Sequence, residues 1–170
     1  MAASLHPAAL PVDELCKACR FTQTRRGGPG GQHRNKVETA VIVTHAPTSI
    51  SAEASERRSA ADNRRAALFR LRLKLAIGVR QSREKDDAPS ELWQSRSGSG
   101  RLTVSSGHAD FPALLAEALD VSADCDFELR AAAERLGVTA SQLTKLFRAA
   151  PEALVMVNSS RAERGLRPLK

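Results

Sequence analysis

Residues 25–36 read Arg-Arg-Gly-Gly-Pro-Gly-Gly-Gln-His-Arg-Asn-Lys, a run that no helix or strand interior accommodates. Four glycines and a proline fall within five consecutive positions. Glycine loses the most backbone entropy on ordering, and proline has no N–H to donate, so the segment must be a loop. Glycine also lets a ligand approach the main chain with no Cβ in the way. Arg25 and Arg26 precede the glycines, and Arg34 and Lys36 follow them, which suits a polyanionic target. Gln32 is the one side chain at the tip with hydrogen-bonding capacity, and it does not titrate. Such a site would position and stabilise; it would not use general acid/base chemistry.

The charge of the chain supports that reading. The net charge is +7, yet residues 1–85 carry 16 Lys and Arg against 7 Asp and Glu, while residues 86–170 carry 10 against 12. A basic first half is the electrostatic footprint of a nucleic-acid binder. No apolar run is long enough to span a bilayer, and residues 1–11 lack the basic start of a signal peptide. The expectation is a cytoplasmic protein without a membrane partner. With one Trp, five Phe and no Tyr, its core must be mostly aliphatic. Cys16 and Cys19 form a single Cys-x-x-Cys with no second pair, so the sequence favours reduced, packed thiols over a metal or redox site. No metal and no cofactor are expected.

Along the chain, residues 12–19 read as a short helix and residues 20–24 as a strand leading into the loop. Residues 38–45, with Val41, Ile42 and Val43, read as a second strand. Pro47 marks a turn, and residues 50–54 form a third strand in hairpin with the second. Ser59 caps a helix running to about Arg80, in which Leu68, Leu71, Leu75 and Val79 recur at helical spacing among many cations. Residues 101–105 alternate like a strand, and Trp93 is expected to be a packing anchor. From Asp110, read as a helix cap, the pattern is helical to Gly165. Residues 128–147 have the outline of a helix-turn-helix with Gly137 in its turn, but the mixed charge there argues against a DNA reader.

The loop resembles the Gly-Gly-Gln loop of class I peptide-chain release factors and of their codon-independent rescue relatives. Gly30, Gly31 and Gln32 match the signature, preceded by Gly28 and Pro29. The likeness continues through Asn35 and Lys36, residues 40–45, Pro47-Thr48 and Glu56-Arg57-Arg58-Ser59 into the basic helix. It departs at Ala60, where the family often has Gln, and at the C-terminus, where rescue factors carry a basic tail. The resemblance implies an α+β fold: a small mixed sheet with a β-hairpin packed on a long basic helix, followed by a small helical region. The expected division is a catalytic domain over 12–83, a linker over 84–105 and a helical region over 106–170.

The implied activity is ribosome-dependent hydrolysis of peptidyl-tRNA without stop-codon recognition. Its catalytic set is Gly30, Gly31 and Gln32. Its RNA contacts are Arg25, Arg26, Arg34, Asn35, Lys36, Arg57, Arg58, Arg64 and Arg65. The partners are peptidyl-tRNA and the large-subunit rRNA at the peptidyl-transferase centre, approached by a monomer. The competing reading is a non-catalytic RNA- or ribosome-binding protein whose glycine loop is only a phosphate nest.

Overall fold

The computed structural model describes residues 5–24 and 39–170. Helix α1 (Val12–Lys17) leads into strand β1 (Cys19–Thr24), followed by β2 (Ala40–His45) and β3 (Ser51–Ala54). The sheet has the order β1-β2-β3 and is antiparallel throughout. β2 is central because it is the strand whose residues are almost all shielded: Ala40, Val41, Val43 and His45 are buried. β-branched side chains suit that pleated, covered position.

Helix α2 (Ala60–Gly78) packs against β2 and β3 on one side and against α4 (Phe111–Asp124) on another. The Ser59 hydroxyl accepts from the Asp62 N–H, so the expected cap forms. Helix α3 (Glu91–Arg96) buries Trp93 completely, and its indole N–H donates to the Leu136 carbonyl at 2.8 Å. Trp93 is thus the packing anchor the sequence suggests. The remaining helices are α5 (Leu129–Arg135), α6 (Ala140–Arg148) and α7 (Pro151–Glu163). α4 is apolar nearly all round and is correspondingly buried on nearly all sides. One continuous hydrophobic core runs from Val43 through Leu71, Trp93 and Leu115 to Phe147. Among the described residues, no helix is long and apolar enough to cross a membrane.

Two local expectations are corrected. Residues 101–105 belong to no strand, and the Thr103 N–H donates to the Arg96 carbonyl at 2.9 Å. Asp110 does not cap α4 with its side chain. Its carboxylate is taken by the Arg96 guanidinium at 2.5 Å, and a charge-assisted pair outcompetes a backbone cap.

Ion pairs bind the segment after α2 to α4. Arg80 pairs with the buried Asp120 at 2.8 Å, and Arg83 pairs with Glu117, which also accepts from the Ser90 N–H at 2.7 Å. At the C-terminus, the buried Arg161 donates to the carbonyls of Phe127 and Arg167 at 2.5 and 2.8 Å. Arg164 lies over the Phe127 ring, 5.2 Å from its centroid. Asp126 and Phe127 have φ of 51° and 57°, a strained pair for non-glycine residues. Arg161 and Arg164 therefore brace a strained turn and are spent within the fold.

Two buried histidines give the fold a pH dependence. His6 accepts from the Ala8 N–H at 3.0 Å through Nδ1, and its Nε2–H faces the Val79 carbonyl at 3.2 Å. Burial lowers the pKa of His6, and burial likewise lowers that of His45, whose Nδ1 lies 2.8 Å from the Thr48 hydroxyl. For both, the unfolded chain takes up a proton first as pH falls, so their contribution is complete above about pH 6.5 and fades below it. Asp120, beside His6, has its pKa raised by burial and so works in the opposite sense at lower pH. The melting temperature should fall between pH 7 and pH 5, and His45→Gln should reduce that fall. A melting temperature that rises over this interval would contradict the assignment.

Candidate functional site

The residues Gly30, Gly31 and Gln32, with Arg25, Arg26, Arg34, Asn35 and Lys36, lie outside the described residues. The structure does describe the platform that carries them. Thr24, the last residue of β1, stands opposite Ala40, the first of β2. The chain therefore leaves and re-enters the sheet on adjacent strands, about 5 Å apart in the manner of any antiparallel pair.

The re-entry point is held by Asn63, which is fully buried on α2. Its amide donates to the Thr39 carbonyl at 2.6 Å and to the Arg57 carbonyl at 3.0 Å. Its side-chain oxygen accepts from the Arg57 N–H at 2.9 Å. One side chain thus joins the loop's exit, the chain entering α2 and α2 itself. A buried amide satisfied on three sides rigidifies what it touches. Sequence reasoning missed this role, although a signal was present. Asn63, Ala67, Leu71 and Leu75 form an i, i+4 stripe, and all four are buried, so a polar residue there must find partners in the core.

The four expected RNA contacts that the structure describes gather around the start of α2. Arg57 and Arg58 are exposed and form no ion pair among the described residues. Arg64 is exposed, with its guanidinium stacked over Phe21 of β1 at 3.6 Å from the ring centroid. It therefore links α2 to the strand that enters the loop while keeping its charge in solvent. Arg65 is bound to Asp62 one turn earlier, and that partner lowers the Asp62 pKa. The free charge at this end is supplied by Arg57, Arg58 and Arg64 rather than by Arg65.

The cations further along α2 do a different job. Arg70 donates to the Glu53 carbonyl and pairs with Glu56, Arg72 donates to the carbonyls of Ala8 and Ala109, and Lys74 donates to the Ser51 carbonyl. They pin α2 to its neighbours. The basic helix is thus polarised, with open charge at its N-terminal end beside Thr39 and structural charge beyond.

Cys16 and Cys19 are free and half-buried, and burial raises the Cys19 pKa, which keeps it a thiol. Among the described residues, no His, Cys, Asp and Glu are grouped for a metal ion.

Residues 13–107 match the family described as the RF-1 domain, more than half of the chain. The chain belongs to the class I peptide-chain release factor family. It is similar to the chloroplastic peptide chain release factor PrfB1 of Arabidopsis thaliana, at 48% identity over 60 residues, covering 35% of this chain and 13% of that protein. It is also similar to peptide chain release factor 1 of Leptothrix cholodnii, at 40% identity over 97 residues, 57% of this chain and 24% of that protein. Peptide chain release factor 1 of Geobacter sulfurreducens is 36% identical over 94 residues, again 24% of its length. The chain therefore spans about a quarter or less of the relatives it matches. The matched RF-1 domain covers the sheet, α2, α3 and residues 101–105, and leaves α4 to α7 outside it.

Proposed function

We propose that this chain hydrolyses the ester joining a nascent peptide to tRNA, on the ribosome and without reading a stop codon. The observation that carries the reading is the Gly-Gly-Gln segment joining β1 to β2 of an RF-1 domain, with its exit fixed by Asn63. Water attack on the ester carbonyl creates an oxyanion and a departing ribose hydroxyl. Donors already aimed at that charge lower the barrier by several kcal/mol. Gly30 and Gly31 allow the main chain to reach the ester, and the Gln32 N–H stabilises the developing charge. The Gln32 amide places water without taking a proton. Large-subunit rRNA supplies the rest of the site, so catalysis comes from positioning.

In this reading residues 12–83 form the hydrolytic domain, 84–105 the connection and 106–170 a docking region. Arg57, Arg58 and Arg64 extend the loop's own cations along the approach to RNA. The protein acts as a cytoplasmic monomer and needs no cofactor. Codon independence is the finer part of the proposal. It takes the helical region, which packs on α2 as part of one core, as the unit that docks the hydrolytic domain in place of a codon reader. The test is peptide release from ribosomes holding peptidyl-tRNA, with mRNA ending in the P site, a sense codon in the A site, or a stop codon there. Release should occur with no codon present. A strict requirement for a stop codon would overturn codon independence, and no release in any case would leave a phosphate-binding role.

A further inference from the structure

The net charge of residues 86–170 conceals how the structure sorts it. Glu117, Asp120, Asp124 and Asp126 are all engaged by arginines, and two of those arginines, Arg80 and Arg83, come from the preceding segment. Among the described residues, the exposed charges left without an ion pair are of both signs, Glu128, Glu134 and Glu152 among them, and three of the open cations lie on or beside α6. α6 buries Leu143, Leu146 and Phe147 and turns Ser141, Lys145 and Arg148 outward. Lys145 and Arg148 form no ion pair among the described residues, and neither does Arg101.

Between α6 and residues 101–105 lies a groove of about 400 Å³, lined by Arg101, Thr103, His108, Gln142 and Lys145 among others. Among the described residues, no Asp or Glu lines it. Arg96, also in its wall, is neutralised by Asp110. Leu102, Val104, Phe111, Leu146 and Ala149 make much of the lining apolar, and its polar part offers cations together with hydroxyl and amide donors, a set that suits phosphate oxygens.

The surrounding architecture points the same way. α5, a turn with Gly137 at φ 64°, and α6 form a helix-turn-helix, and the groove flanks its second helix. In DNA readers that helix enters the major groove, but the major groove of A-form RNA is too narrow for side chains. Against RNA, α6 would lie on the backbone at the groove's rim, where Lys145 and Arg148 need only charge.

We propose that this groove is a second RNA site, in which Arg101 and Lys145 within it, and Arg148 exposed one turn further along α6, hold the phosphate backbone of a helical RNA. The choice of RNA rests on the release reading above. The site would give the helical region a docking function that does not involve the Gly-Gly-Gln segment.

The experiment uses the full chain and a fluorescent RNA hairpin with a stem of about 16 base pairs, long enough to present two successive minor grooves. Lys145→Ala/Arg148→Ala should bind about tenfold more weakly, with the slope of log affinity against log salt shallower by roughly one to two. Lys145→Arg/Arg148→Lys should bind like the wild type. Arg130→Ala, which removes an exposed cation of α5 that does not line the groove, should change little. An unchanged slope in the double alanine variant would overturn the site, as would an equal loss in Arg130→Ala. A DNA duplex of equal length held more than about tenfold tighter than the RNA would make the unit a DNA reader. Oligo-glutamate showing the larger loss in the variant would make the groove a peptide dock. Hairpin binding requires no hydrolysis, so failure here leaves the release reading standing. A Gln32→Ala chain that binds the hairpin but releases nothing would show the two to be separable.

Discussion

Asn63→Leu should destabilise the protein by about 3 kcal/mol or more and should impair release even in the molecules that remain folded. The side chain satisfies three main-chain groups at once: the Thr39 carbonyl and both the N–H and the carbonyl of Arg57. Each buried group left without a partner costs about 1–3 kcal/mol, and leucine can replace none of the three bonds. A typical domain has only about 5–15 kcal/mol of stability in total, so one substitution would consume a large share. Urea denaturation should show a lower midpoint. The functional consequence follows from position: Thr39 is where the loop rejoins the sheet, and its carbonyl is the point α2 holds. Asn63→Asp is the informative companion. It keeps the shape and can still accept from Arg57, but it places a carboxylate against two carbonyls. A change in stability below about 1 kcal/mol with normal release would mean that these groups find other partners. The amide would then have no role in fixing the loop.

Much of this fold was legible because its first half is locally consistent. The β-branched run in β2 reads as a covered strand, and the Ser59 cap and the leucine spacing mark α2 within two residues of its observed ends. What stayed hidden depends on tertiary partners. Residues 101–105 alternate as a strand should, yet residues of α3 and α6 lie beside them and none of the three strands pairs with them, so no ladder forms. Asp110 has the composition of a cap, but Arg96, fourteen residues earlier, takes its carboxylate. Nothing in a linear reading separates the open cations of α2 from the structural ones, because that division is set by which carbonyls lie nearby. Arg57 and Arg58 precede the helix and face solvent, whereas Arg72 reaches the carbonyls of Ala8 and Ala109. The same rule holds near the C-terminus, where Arg161 is buried and donates to the carbonyls of Phe127 and Arg167.

Gly31→Ala should reduce peptide release by about a hundredfold to a thousandfold while changing ribosome affinity little. The size is that of losing one preorganised donor from an oxyanion site, since an added Cβ keeps the neighbouring Gln32 N–H from reaching the ester. The asymmetry between release and binding comes from how each is distributed. In the proposed mechanism release depends on a few atoms placed within tenths of an ångström, whereas binding is shared among Arg57, Arg58, Arg64 and the cations flanking the glycines. Neither Asn63 nor the α6 groove is altered by this change, so stability and hairpin binding should match the wild type. Single-turnover release measured beside affinity for the same ribosomes separates the two quantities. Parallel loss of both would make the glycine segment an anchor whose contacts carry affinity. Unchanged release would place the chemistry elsewhere in the complex, and the platform held by Asn63 would then have no catalytic loop to present.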